Sequence, residues 1–372
     1  MLLQRSRPGG VRDMDNQSRF RGCLLAGAVG DALGAPVEYM SLSRICTTFG
    51  STGIRDYVKF AGRKGAISEE TQMALFSAEG LIRGSLHKTS EANSSYSYHA
   101  AIAYQRWLLT QGESNEHGLS SLDATSGWLY DVKALHSRRA PGRTCRAALR
   151  SATAIGQSAL NTSKGCGGVM RVAPAGLFAT TVEESFELGC QLAAQTHGHP
   201  TGWLAGGAMA VMVTILKQGA QLPEAIDSAV KCLADKQGHQ EVTAALEMAV
   251  ELDRAGVDHD QAIAQLGRGW LAHEALAIAA YCVLRAPDML EGIVLAINHD
   301  GDSDATGAMA GSLLGVMLGD ESIPAPWLKR LELRKVITEV ADDLYLCRDW
   351  NVGAMVDSTN INKRIWEKYP AC

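Results

Sequence analysis

No two cysteines in this sequence are spaced Cys-x-x-Cys, although there are nine, at positions 23, 46, 145, 166, 190, 232, 282, 347 and 372. An odd count without regular spacing, in apolar surroundings, excludes a disulfide framework or structural zinc site and points to reduced, mostly buried thiols in a cytoplasmic protein. Also missing is an apolar run of the ~20 residues that a bilayer span needs. The longest, "WLAGGAMAVMVTIL" from Trp203 to Leu216, is short and rich in small residues, as buried helices are. Basic residues are scattered and the formal charge is −5, so there is no electrostatic footprint for a nucleic acid or an anionic membrane, and neither is expected as a partner. The first seventeen residues, "MLLQRSRPGGVRDMDNQ", lack the apolar stretch of a secretion signal and read as a flexible tail. No Gly-x-Ser-x-Gly elbow offers a serine nucleophile, and the spacings of a Walker or Rossmann loop do not occur.

Strand-like alternation is almost absent; what fills the sequence is helical periodicity. Met73, Phe76 and Gly80, then Ala205, Met209 and Met212, then Leu276, Ala279 and Ala280 recur at three- and four-residue steps. The spacing predicts helices over 18–33, 70–84, 96–110, 144–158, 181–195, 201–218, 223–235, 239–253, 271–285, 304–318 and 325–345, an all-α protein. At 372 residues, 46% hydrophobic, the chain has material for a large core, and nothing in it reads as a dividing linker. Glycine and alanine inside helices, as in "GCLLAGAVGDALGAP" and "GAMAGSLLGVMLG", lower intrinsic helicity and imply backbones packed closely in a bundle.

Four segments crowd polar residues among glycines. "GDALGAPVEY" carries Asp31 and Glu38, "GAISEETQMALF" carries the adjacent Glu69 and Glu70 after Ser68, "NTSKGCGGVMRVAPAGL" is a glycine loop, and "NHDGDSDATGAMAGSLLG" alternates Asp300, Asp302 and Asp304. Three carboxylates so close repel unless solvated, protonated or neutralised, and a hard cation such as Mg²⁺ or Mn²⁺ is a usual answer. Asp302 or Asp304 could equally cap the following helix. The glycine loop, with Lys164 and Arg171 nearby, either cradles a pyrophosphate or merely turns the chain. In "THGHP", His197 and His199 share no helical face and lack zinc-type companions, which leaves substrate contact or helix-start architecture.

In this order, and with "FRGCLLAGAVGDALGAPVEY", "RRAPGRTC", "SKGCGGVMRVAPAGL", "THGHP" and "EALAIAAYCVL" between them, the segments resemble the ADP-ribosylglycohydrolase family from about residue 18 to 346. The resemblance implies one compact all-α domain over 18–350, between the tail 1–17 and an extension 351–372, acting on ADP-ribosylated protein; the sequence leaves the oligomeric state open, with a monomer favoured. It implies two divalent cations, Mg²⁺ or Mn²⁺, held by a Ser/Thr-Asp-Asp triplet and a later Asp-x-Asp-Thr/Ser. Here Ser68, Glu69 and Glu70 stand at the first, and Asp302, Asp304 and Ala305 at the second. Both early aspartates are thus glutamates, and Ala305 lacks the hydroxyl, with Thr306 one place on.

The resemblance further implies hydrolysis of the N-glycosidic bond between ADP-ribose and a side chain, arginine's guanidinium first, with Glu38, Glu69 and Asp302 in the chemistry. Ser163, Lys164, Gly165, Cys166, Gly167, Gly168, Val169 and Met170 would take the diphosphate, and His197 and His199 the phosphates or ribose. Asp31 would orient the fold around the site. The alternative is a catalytically impaired protein of the same fold that binds ADP-ribose or an ADP-ribosylating toxin, because the octahedral Mg²⁺ shell at ~2.0–2.1 Å gives a longer carboxylate arm little slack.

Overall fold

A computed structural model describes residues 15–87, 95–121, 126–350 and 360–370. Among them the only sheet is a two-stranded hairpin, Lys59–Phe60 with Arg63–Lys64; the rest is helix and connecting turns. The all-α expectation holds.

Two helices from opposite ends of the chain form the centre. Asn16–Gly34 and Ser303–Leu318 are buried over most of their circumference, which marks interior helices, not amphipathic surface ones. Their glycines let backbone touch backbone: a Cβ on Gly30 would lie 1.9 Å from the carbonyl oxygen of Gly307, and one on Gly315 would lie 2.0 Å from that of Gly22. No rotamer relieves a clash between backbones. Gly30→Ala is therefore expected to cost at least about 3 kcal/mol of stability, read as a drop in the denaturant midpoint; an unchanged midpoint would refute the contact. Around this pair pack Glu69–Leu86, Ala272–Arg285, Met289–Ile297 and Arg334–Leu346, and beyond them Val182–Ala194 lies on Pro200–Lys217.

Three expectations need correction. The first helix begins at Asn16, with Asp15 accepting from the Gln17 amide at 3.2 Å, so residues 16 and 17 are folded, whereas residues 1–14 lie outside the described residues. The helix expected over 144–158 ends at Ser151, where the Asn115 amide group caps the carbonyls of Leu149 (2.8 Å) and Ala152 (2.9 Å). The helix expected over 325–345 is two, Ala325–Arg330 and Arg334–Leu346, separated at Leu333 with φ 55°. That break turns Glu332 inward, where it accepts from the Ile67 amide (3.2 Å) and from both terminal nitrogens of Arg139 (3.0 and 3.2 Å). Short helices at Leu42–Phe49, Ala173–Phe178, His259–Leu266, Met289–Ile297 and Asn360–Lys368 were not expected from the periodicity.

Candidate active site

The start of the helix Glu69–Leu86 is fastened to the end of the first helix by one buried carboxylate. Asp31 accepts from the Ser68 amide through both oxygens at 3.0 Å, from the Thr71 amide at 3.2 Å, and from the Thr71 hydroxyl. These three donors hold the carboxyl group in place, and two of them are amides that a helix start otherwise leaves unpaired. Asp31 thus ties the start of this helix to the end of the first one.

Ahead of the helix Ser303–Leu318, Gly301 at φ 130° lies against the Arg268 carbonyl, which in turn accepts from the Asp302 amide at 2.9 Å. The Thr306 hydroxyl is bonded to the carbonyls of Ala296 (2.7 Å) and Asp302 (2.9 Å) and to His299 Nε2 (2.8 Å). It braces the turn and does not stand in for the hydroxyl missing at Ala305.

The two chain ends bring five carboxylates into one buried region. Asp31, Glu70 and Asp304 each offer an oxygen within 4.8 Å of the others, and so do Glu38, Asp302 and Asp304. Asp304 belongs to both groups. Glu69 belongs to neither: its carboxylate accepts from the Gly142 amide, and its Oε2 is buried with no hydrogen-bond partner among the described residues. Glu69 and Glu70 open one helix, and successive residues on a helix diverge by about 100°. That spacing is the signal in the sequence that the two side chains would part.

A cleft of about 180 Å³ is lined by Glu38, Tyr39, Glu69, Glu70, Asp302 and Asp304, by Gly142, Arg143, Thr144 and Cys145, by Gly165, Cys166, Gly167 and Met170, and by His197 and Trp270. Tyr39, at φ 66°, stacks on Trp270 with ring centroids 5.1 Å apart. Ser163, Lys164, Gly168, Val169 and His199, all expected to touch substrate, do not line it. The Ser163 hydroxyl accepts from the Gly165 amide at 3.2 Å, Lys164 pairs with Glu241 at 2.7 Å, and Val169 is in the core. His199 caps the helix Pro200–Lys217, its Nδ1 accepting from the Thr201 amide at 3.1 Å. The Cys166 amide is spent on the Trp270 carbonyl at 3.1 Å, while its thiol donates to Asp302 Oδ2 at 2.8 Å. Arg171 does not face a phosphate. Fully buried, it holds the glycine loop from beneath through the carbonyls of Gly167 (2.5 Å) and Leu192 (3.0 Å), with its guanidinium 4.6 Å from the Tyr104 ring centre.

The ADP-ribosylglycohydrolase family model matches residues 12–352. The chain belongs to the ADP-ribosylglycohydrolase family. It is 25% identical over 364 residues to ADP-ribosylhydrolase ARH3 of Bos taurus, covering 87% of this chain and 91% of that one, and 22% identical over 344 residues to the ADP-ribosylarginine hydrolase Tri1 of Serratia proteamaculans, covering 90% and 81%. A solved structure described as an ADP-ribosylglycohydrolase-related protein complex superposes with a TM-score of 0.62 at 26% identity, over 90% of this chain and 99% of that one.

In this member of the glycohydrolase family the acidic residues are electrostatically unfinished. Burial first, and the charge of Asp304 next, push Asp31 up to about 7 and Glu38 up to about 8. Glu69 is pushed up to about 8 by burial, against the Gly142 amide, which pulls the other way. Glu70 and Asp302 lie well above the ordinary carboxylate range, again from burial and then Asp304. The principal charges acting on Glu70 and Asp302 are other carboxylates, so the donor set, all hard oxygen and lacking its own counter-charge, fits hard divalent cations. His197, buried near Arg171, is lowered to about 3 and stays neutral, with Nδ1 on the Thr196 hydroxyl at 2.8 Å. Its ring packs against the loop, where a Cβ on Gly167 would lie 2.8 Å from the Cys145 sulfur and 3.1 Å from the imidazole.

Proposed function

We propose that this chain hydrolyses the N-glycosidic bond joining ADP-ribose to a protein side chain, with arginine as the acceptor residue. The observation that carries the reading is the pair of carboxylate groups that share Asp304 and open onto a cleft edged by the glycine loop. Glu70, Asp302 and Asp304, with Ser68 behind Glu70, would hold two divalent cations, Mg²⁺ or Mn²⁺. Bound there, such cations polarise ribose hydroxyls and lower the pKa of a water.

The chain's own residues supply the rest. Glu38, whose carboxyl burial and the charge of Asp304 push upward in the cation-free chain, gives its proton to the departing guanidine nitrogen and regains one from the water whose oxygen bonds to C1″. The diphosphate lies along the edge formed by Gly165, Cys166 and Gly167, where the amides of Gly165 and Cys166 are already bonded to Ser163 and Trp270, and His197 keeps that backbone in place. Asp31 sets the start of the helix that carries Glu70. The relatives' names support ADP-ribose linkages in general, and Tri1 supports arginine in particular.

Glu69 favours a second reading, in which the chain binds ADP-ribose, or an ADP-ribosylating toxin, with little turnover. Its extra methylene lets the carboxylate settle on Gly142 and leave the acidic groups. Arginine-ADP-ribosylated protein incubated with Mg²⁺ or Mn²⁺ decides between the two. Metal-dependent release of ADP-ribose by the natural chain is expected, with the Glu69→Asp/Glu70→Asp double variant about tenfold faster if the long arms impair the centre. Release by the double variant alone assigns the natural chain to the binding class, and binding of ADP-ribose without release by either refutes hydrolysis.

A further inference from the structure

Beside the cleft lies a second, larger depression of about 680 Å³ that the proposed chemistry does not use. Trp270 walls both. Leu42 and Asp300 line the second one, four and two residues in sequence from Glu38 and Asp302 of the first, so the depression adjoins the acidic side of the cleft as well as the glycine loop, whose Gly165 is bridged to Leu271. Its charged residues are three carboxylates, Asp260, Glu274 and Asp300, against one guanidinium, Arg268. Two of the carboxylates are fixed: Asp300 accepts from the Leu42 amide at 2.5 Å and Glu274 from the Arg268 amide at 3.2 Å. Ile263 and Leu271 between them give apolar wall on which the aliphatic stems of lysine and arginine can lie.

An acidic groove repels the diphosphate and attracts cations. We infer that this groove receives the polypeptide flanking the ADP-ribosylated residue, and that it selects acceptors with lysine or arginine next to the modified side chain. The inference rests on the hydrolase reading for its substrate, while the groove's own charge can be tested apart from turnover. Rim charges act chiefly on encounter and on discrimination between partners, with an effect that salt screens.

The test compares peptides carrying ADP-ribosylated arginine between lysines or between glutamates, with ADP-ribosylated free arginine as the reference. At low salt the lysine-flanked peptide is expected to have about a tenfold higher kcat/KM than the glutamate-flanked one, shrinking toward parity in 0.5 M NaCl. Asp260→Lys/Ala264→Lys, on two exposed positions one helical turn apart, is expected to reverse the preference, and the milder Asp260→Asn to reduce it. Equal rates for the two peptides in the natural chain, or a preference that survives the double variant, overturn the inference. If not even free ADP-ribosyl-arginine is cleaved, the hydrolase reading fails first, and fluorescence anisotropy of an unmodified, fluorescein-labelled lysine peptide decides the groove alone. Binding lost in Asp260→Lys/Ala264→Lys supports it, and no binding, or binding that the variant retains, overturns it. A dimer in sedimentation that dissolves in the same variant would assign the groove to a second copy and also overturn it.

Discussion

Replacing Asp304 with asparagine is expected to lower the release of ADP-ribose by about 10³-fold, without destabilising the metal-free chain. Asp304 is the one carboxylate common to both acidic groups, so its loss removes a charge from each at once. The amide keeps the shape of the side chain and can still accept from the Ala305 amide, which Asp304 Oδ1 now does at 3.2 Å. It also relieves the repulsion that Asp304 exerts on Asp31, Glu38 and Glu70. Thermal melts should therefore show a midpoint in EDTA equal to or above that of the natural chain, and no rise on adding Mg²⁺ or Mn²⁺, because a ligand stabilises only the fold that binds it. A variant that retains both turnover and the cation-induced rise would remove Asp304 from the centre.

The second large effect is on pH. Asp31, Glu38 and Glu69 are pushed up to about 7, 8 and 8 in the folded chain, while in the unfolded chain they return to the ordinary carboxylate range. Between those limits the folded state binds more protons than the unfolded one, so stability falls as pH rises. The contribution is full below about pH 4 and is lost as pH rises through 7 to 8. One such carboxyl is worth on the order of 4 kcal/mol across that window, and the three interact, so the total is not three times that value. In EDTA the melting temperature should decline by several degrees from pH 5.5 to 8.5, and Mg²⁺ should flatten the decline by supplying the missing counter-charge. A metal-free midpoint that rises across this range would show that these carboxyls are not held protonated.

The all-α class was legible because periodicity repeats through the long helices, whatever their neighbours. Boundaries that depend on distant side chains were not. Asn115 stops one helix at Ser151, and the demand of Arg139 and Ile67 for Glu332 breaks another at Leu333; neither partner is near in sequence. In the site, carboxylates that needed a counter-charge left a cation and a helix cap equally open for 302–304, and it is the family resemblance that implies their meeting with the Glu70 region. The parting of Glu69 from Glu70 was also available, from helical geometry alone, once Glu69 is seen to open a helix. The wall formed by Gly142, Arg143, Thr144 and Cys145, and the Trp270–Tyr39 stack, were missed. "RRAPGRTC" holds three arginines, but nothing local shows that Arg139 turns inward to Glu332 while Arg143 lines the cleft. Nothing near Trp270 in the sequence shows that Tyr39 will meet it.

The glycine contact between the first helix and Ser303–Leu318 also governs when the protein can exist. A ribosome must release the last of that late helix before Gly22 and Gly30 find the carbonyl backbones they fit. Until then the nascent chain exposes a nearly all-round apolar first helix with no mate, and no subset of residues short of Asp304 assembles either acidic group. Such long-range closure makes folding slow and the waiting chain prone to aggregate. Biosynthesis thus yields the acidic centre last, and a product truncated before residue 303 would lack both the mate of its first helix and the carboxylate common to the two acidic groups.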